Sequence, residues 1–333
     1  MSASQDETTA SGGMRRAYRG IQSMQEVGVL VALLILCIAL TIAAPTFKNS
    51  TNLLNVARQA SYYGIMAVGM VYVVCMGDID LSVGSIFTLT NIVVGLALQA
   101  HQPIPIAVLI GLGTGALCGL SNGLLAVWLR IPMIIITLGT LSIYRGLALV
   151  LCNAAPISKF PKDGLFFVVG GGDIARIPTS VVVMVLTGVI GWIALTRSIA
   201  GRRLMAMGSS PLTARLSGIP LDRYRVVVMT INGTIAALAG ICAVAFLQSA
   251  DPSTGVGFEL WVIASVIIGG TALSGGRGSV PGAIVGALII AVIGNGLILL
   301  QAPTYAATAI TGVVIILAVA IDAFVKRRTQ PQH

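Results

Sequence analysis

"RSIAGRRLMAMGSSPLTARLSGIPLDRYR", residues 197–225, is the longest charge-bearing interior segment of a chain that is otherwise almost continuously apolar. It carries Arg197, Arg202, Arg203, Arg215, Arg223 and Arg225 against a single acid, Asp222. Lys and Arg near the ends of membrane spans resist translocation and are drawn to the anionic inner surface, so this segment belongs on the cytoplasmic side. Its interior predicts a short helix over "PLTARLSGI", begun by Pro211, capped by Ser209 or Ser210, and ended by Gly218 and Pro220. Leu212, Leu216 and Ile219 recur at four- and three-residue spacing, an apolar face that could enter a cleft on a soluble partner. Two readings stay open. The segment is a surface helix on which a soluble motor pushes, or a basic loop that only obeys the positive-inside bias.

Composition excludes a soluble fold. Hydrophobic residues make up 56% of 333 positions and charged residues 9%, with 39 glycines, the profile of a polytopic helical membrane protein. The net charge of +9 is explained by cytoplasmic loops, because the basic residues are not interleaved with aromatics as in a nucleic-acid surface. Cys37, Cys75, Cys118, Cys152 and Cys242 fall in or beside apolar runs without CxxC spacing and read as small packing residues.

Threading outward from the basic stretch gives an all-α protein of about ten spans. A polar cytoplasmic segment, 1–26, bears Arg15, Arg16 and Arg19 beside the first span, and its length argues against a cleavable signal. Spans are expected near 27–44, 53–76, 82–100, 104–128, 133–152, 179–196, 226–247, 260–270, 283–300 and 304–323, at roughly 20 residues per crossing. Residues 153–178 and 248–259 then face outward, and a basic tail, 324–333, lies inside. Both termini are cytoplasmic, and most of the 20 basic residues fall on that side. The membrane-embedded part is thus 27–323, with the basic stretch 197–225 on its cytoplasmic side. The halves echo each other: "GALCGLSNGLL" at 115–125 resembles "GALIIAVIGNGLILL" at 286–300, each downstream of a Leu-Ser-glycine element, "IDLSVGS" at 79–85 and "TALSGGRGS" at 271–279. Paired units facing one another make a gated pathway in many transporters, although convergence in a chain rich in Gly, Ala and Leu gives the same echo.

Polar residues inside apolar sequence mark candidates for the pathway. "GDIDLSVGS", 77–85, places Asp78 and Asp80 two residues apart, where they must meet water, line a pathway or bond helix ends. Asp80, followed by Ser82, is placed to accept backbone N–H bonds at the start of the third span. Arg145 either snorkels to the outer interface or pairs across the pathway. Asn122, Asn232 and Asn295 each precede Gly and could brace broken helices or present amides to a hydroxylated solute. Trp128, Trp192 and Trp261 fit interfacial anchoring.

Taken in order, "GDIDLSVGS", "SNGLLAVWLRIPMIIITLGTLSIYRGL", "LSGI", "TINGTIAALAGI" and "GFELWVIASVIIGGTALSGGRGSVPGAIVGALI" resemble the membrane permease subunits of bacterial ABC importers of the ribose, xylose, rhamnose and autoinducer-2 type, over about residues 27–323. The resemblance implies an inner-membrane permease for a monosaccharide or related solute and a periplasmic binding protein. It also implies a second permease subunit, identical or homologous, and a cytoplasmic ATPase that usually carries two fused nucleotide-binding halves, with ATP and magnesium bound there. The basic stretch becomes the coupling loop, with Arg202, Arg203, Gly208, Leu212, Arg215, Leu216, Gly218 and Ile219 as its contact candidates. Two departures stand out. The family commonly has Gly where Asp78 stands, and Gly-Asn followed by paired alanines where this chain has Ser209, Ser210 and the Ala214-Arg215 pair, changes that fit a subunit specialised for one partner in a heterodimer.

No P-loop "GxxxxGK[ST]" occurs, and only His101 and His333 are available for metal or acid–base chemistry, so the sequence predicts a transport subunit without cofactor, metal site or catalysis of its own. A secondary or passive solute carrier is the alternative from another class.

Overall fold

The computed structural model describes residues 27–162, 166–174 and 176–303, with 309, 310, 312, 313 and 316. The tenth span expected over 304–323 falls almost wholly outside these residues, as do the segment 1–26 and the tail 324–333. The described chain is a helical bundle: α1 (Val27–Ala43), α2 (Ser50–Cys75), α3 (Val83–Gln99), α4 (Ile104–Leu129), α5 (Met133–Leu151), α6 (Thr179–Arg197), α7 (Ile199–Ser209), α8 (Pro211–Leu216), α9 (Leu221–Leu247), α10 (Phe258–Ile268) and α11 (Val280–Leu299). The extended structure among these residues is a two-residue hairpin, Asp173–Ile174 with Ile177–Pro178, and a bridge between Ile157 and Ala250.

Among the described residues five helices, α4, α5, α6, α9 and α11, are long and apolar enough to cross a membrane. Helix α2 is more polar because it is sheathed by protein rather than lipid: every residue from Ala60 to Val71 is buried, Ser61, Tyr62 and Tyr63 included. The outer helices show the opposite pattern, with Leu34, Ile42, Leu109, Leu117, Ile143 and Ile190 exposed, an apolar surface suited to lipid or a neighbouring subunit.

Small residues set the closest crossing. Gly115, Gly119 and Gly123 recur every four residues on α4, and a Cβ at the first two would strike the backbone carbonyls of Gly233 and Met229 on α9. A Cβ at Gly123 would approach Val226 Cα to 2.7 Å. This is the small-xxx-small device by which membrane helices bring their backbones together without a hydrophobic driving force.

Connectors gather in two groups at opposite ends. At one end Gly77, Gly208, Gly275 and Gly276 lie in backbone contact, and Arg225 reaches Asp78. At the other, Arg58 pairs with Asp173 and Ile157 bridges Ala250. The connectors that the threading assigned to the inside and outside therefore separate as groups.

Two expectations change. Residues 248–259 do not simply face outward. The αL residue Gln248 ends α9, Ala250 lies against Gly95, Thr254 O accepts from Thr88 Oγ1 at 2.5 Å, and Gly255 sits over Gly84. The chain thus descends along eleven residues of α3, about 16 Å at helical rise. Helix α10 therefore begins inside the bundle, its Phe258 ring edge-on to Tyr63 at 4.9 Å and 5.3 Å from Phe87. Trp261 follows it in, 5.3 Å from the Tyr63 ring and stacked over Gly294, so it is a packing residue rather than an interfacial anchor. Trp128 and Trp192 are exposed, as anchoring requires.

Candidate functional site

The stretch 197–225 folds as two helices, of which the sequence foretold one. Ser198 is extended and its Oγ accepts from Gly201 N at 2.9 Å, so it breaks the chain out of α6 and caps α7. Helix α7 buries Gly201, Leu204 and Met207 and turns Arg202 and Arg203 outward. Helix α8 starts at Pro211 with Ser210 Oγ accepting from Thr213 N. It ends at Gly218, φ +79°, with Ile219 N donating to Ala214 O and Gly218 N to Arg215 O, the paired bonds of a glycine C-terminal cap.

Leu212 and Leu216 are 71% and 81% exposed, with Arg215 exposed between them. Ile219 does not share that exposed face: it is half-buried against the core. Arg202, Arg203, Leu212, Arg215 and Leu216 are therefore presented outward, whereas Gly208 and Ile219 face the protein.

Gly208 sits in a three-way backbone junction. Gly276 N donates to Cys75 O at 2.9 Å, and a Cβ on Gly208 would strike both of those atoms. A Cβ on Gly275 would lie 2.9 Å from Gly208 Cα and 3.0 Å from Gly77 Cα. The end of α2, the end of α7 and the α10–α11 connector thus touch through main chain. Beside them Arg225, in the first turns of α9, donates to Asp78 Oδ2 at 2.9 Å. Burial holds the Asp78 carboxyl above its ordinary value, and the Arg225 guanidinium opposes that shift.

Further into the bundle, Asp80, Ser82, Asn122 and Asn232 form one buried network. Asp80 Oδ1 accepts from Ser82 N at 2.8 Å and Ser82 Oγ at 2.6 Å, and Asp80 Oδ2 accepts from Asn232 Nδ2 at 2.7 Å. Asn122 Nδ2 donates to Ser82 Oγ at 2.8 Å, and Tyr144 Oη donates to Asn122 Oδ1 at 2.9 Å. Tyr144, for which the sequence carries no signal, ties α5 to α4 through Asn122, and Leu81 N donating to Thr137 Oγ1 ties α5 to the α2–α3 break. Asp80, Ser82 and Asn122 have no exposed surface and Asn232 has 1%.

Asn295 stands apart from this network. It exchanges amide hydrogen bonds with Asn52, at 2.8 and 3.0 Å, and clasps α11 to α2 at the opposite end. Arg145 neither snorkels free nor joins Asp80: its Nη2 donates to Gly255 O at 3.2 Å in the segment leading to α10. All five cysteines are unpaired, and no cluster of three His, Cys, Asp or Glu occurs among the described residues.

A family model described as the permease component of branched-chain amino acid transport systems matches residues 52–319. The ribose import permease protein RbsC of Bacillus subtilis is 38% identical over 300 residues, covering 90% of this chain and 93% of that protein. RbsC of Escherichia coli K12 is 36% identical over 317 residues, 95% and 98% of the two chains. The D-allose transport system permease protein AlsC of the same organism is 36% identical over 282 residues, 84% and 86%. No solved structure is found to match.

Proposed function

Because the chain belongs to the family of permease components of branched-chain amino acid transport systems, and is by that membership a transport subunit rather than an enzyme, we propose that it forms the import pathway for a monosaccharide or related small hydroxylated solute. The observation that carries the solute class is the near end-to-end similarity to ribose import permeases, at 36–38% identity over nine-tenths or more of each chain. The family description names amino acids, but the full-length relatives named above import sugars.

In this reading α7 and α8 are the coupling helices. The exposed Leu212 and Leu216 enter a cleft on a cytoplasmic ATPase, Arg202, Arg203 and Arg215 flank that contact, and the Gly208 junction relays the push into α2 and the α10–α11 connector. Gly218 supplies the turn that sets α8 against α9. Asp78, Asp80, Ser82, Asn122 and Asn232 hold the break between α2 and α3, and Asn295 holds α11 to α2. A periplasmic binding protein delivers the solute at the end where Arg58 pairs with Asp173 and Ile157 bridges Ala250, and a second permease subunit, a copy or a homologue, completes the pathway. The ten-span count, the paired halves and the cytoplasmic placement of both termini in a bacterial inner membrane belong to the same proposal. Their support is the segregation of connectors into two ends, one of them bearing the six arginines of 197–225.

Reconstitution tests the proposal. Proteoliposomes holding the permease with its ATPase and binding protein should accumulate labelled D-ribose or D-allose only when ATP is supplied on the ATPase side. Accumulation that never depends on the ATPase would favour the secondary or passive carrier instead.

A further inference from the structure

A second polar centre lies where α5, α3 and the start of α10 meet, and it involves an acid outside the network around Asp80. Glu259, in the first turn of α10, points its carboxylate at Gly84 of α3, where any side chain would collide with Oε2. Arg145 of α5 approaches from the other side and holds Gly255 O. The ion pairs among the described residues are Arg58 with Asp173 and Arg225 with Asp78, so Arg145 and Glu259 approach through Gly255 and Gly84 without pairing. Glu259 Oε2 and Arg145 Nε are both buried and without a hydrogen-bond partner.

A purely structural guanidinium and carboxylate in one neighbourhood would be expected to close on one another, since inside a membrane protein charged groups tend to pair. Here one donor and one acceptor are left unpartnered in the same neighbourhood, Arg145 bonded to the Gly255 carbonyl and the Glu259 carboxylate beside the Gly84 that Gly255 overlies. Exposed surface lies close by: Ser142, one turn before Arg145 on α5, is exposed, and so are Val256 and Leu260 beside Glu259, at 58% and 43%.

We propose that Arg145 and Glu259 are solute-contacting residues of the import pathway, binding hydroxyl groups in transit. A hydroxyl can donate to Glu259 Oε2 while accepting from Arg145 Nε, so one polyol satisfies both orphaned atoms. The charges cancel as a pair, which suits a neutral polyhydroxylated molecule and gives no net attraction to an anion or a cation. Ser142 on the exposed face of α5 adds a hydroxyl beside the path, and Val256 and Leu260 supply apolar surface for the C–H faces of the solute. Ser142, Val256 and Leu260 are the exposed members of this group, so a second subunit would close the far wall over them.

This inference rests on the proposed function, and the test separates the two. Arg145→Gln and Glu259→Gln are each reconstituted with the ATPase and binding protein, and D-ribose uptake and ATP hydrolysis are measured together. Each substitution should lower ribose uptake at least tenfold while hydrolysis stimulated by ribose-loaded binding protein stays within twofold, so that ribose moved per ATP falls. Unchanged uptake, or uptake and hydrolysis falling in parallel, overturns the assignment. Should either variant assemble poorly, Ser142→Trp narrows the same passage from an exposed position. It should lower ribose per ATP with an unchanged thermal unfolding midpoint, and full uptake in that variant overturns the assignment as well. If the unaltered permease imports neither D-ribose nor D-allose with ATP, the proposed function fails and this inference with it; if import is intact and indifferent to all three substitutions, the inference fails alone.

Discussion

Asp78 and Arg225, 147 residues apart in sequence, meet through an Nε–Oδ2 bond of 2.9 Å that fastens the α2–α3 break to the first turns of α9. The carboxylate side chain is 10% exposed and the guanidinium 41%, so the pair is lopsided: removing the arginine strands a nearly buried acid, whereas removing the acid leaves a cation that can turn to water. Arg225→Ala should therefore cost about 1–2 kcal/mol in folded stability, less than a fully buried pair because solvent screens the arginine. Asp78→Asn should cost less, and the double variant should cost less than the two singles added. Strict additivity in a thermal unfolding cycle would show that the contact carries no coupling energy.

Gly208→Ala tests the three-way junction. The atoms a new methyl would strike, Cys75 O and Gly276 N, are main chain and cannot swing aside. Folded yield should drop several-fold and ATP-driven uptake with it. Gly113→Ala, on α4 with nothing within 4 Å of the new Cβ, is the matched control and should be neutral or stabilising by up to about 1 kcal/mol through helix propensity. Equal behaviour of the two variants would remove the close-contact explanation.

At Asp80 the prediction is an ordering. Asp80→Asn keeps one carbonyl oxygen for the Ser82 bonds and turns an N–H₂ toward Asn232. Asn232 Oδ1 is buried and unpartnered, so rotating that amide by half a turn would supply an acceptor. Asp80→Leu leaves Ser82 N and Asn232 Nδ2 without acceptors, at about 1–3 kcal/mol for each buried group. Uptake and detergent-stable yield should fall together and rank wild type, Asn, Leu. Two stable variants that have both lost uptake would instead put Asp80 in contact with the solute.

Leu212→Glu with Leu216→Glu probes the partner surface. Both side chains are mostly exposed, so the double variant should unfold within about 0.5 kcal/mol of the parent. Retention of the ATPase on immobilised permease should fall at least tenfold, because two carboxylates would be carried into an apolar cleft. Full retention with full ATP-dependent uptake would end the coupling role of α8.

How far the sequence could be read follows from which forces are local. The ends of α8 were legible because Ser210, Pro211 and Gly218 act within one turn. Helix α7 was not, since its signal is a buried row of Gly201, Leu204 and Met207 that arginines interrupt, and the charge pattern reads as loop. The spans α4, α5, α6, α9 and α11 are legible from apolar length alone, although α9 starts at Leu221 rather than Val226, with Asp222 and Arg223 exposed on its first turn and Arg225 bonded to Asp78. The depth of α10 was illegible: the descent of 248–257 depends on Gly84 and Gly95 clearing a track on α3, a pairing across more than 150 positions. Asn232 and Asn122 were picked out as polar residues in apolar runs, but nothing local announced that Asp80 and Ser82 would join them. Glu259 carries no local signal, because one acid at the edge of a span looks like an ordinary boundary.

The glycine row on α4 has a mechanical corollary. Where Gly115 and Gly119 meet α9 through their main chains, no side chains lie between to change rotamer, and sliding either helix would drive carbonyl oxygens into one another. Helices α4 and α9 are therefore expected to travel as a single strut. Any alternation of access must be absorbed by parts joined through softer contacts, with α5 on one flank and the interior start of α10 on the other, so the strut acts as the fixed pivot about which the passage is reshaped.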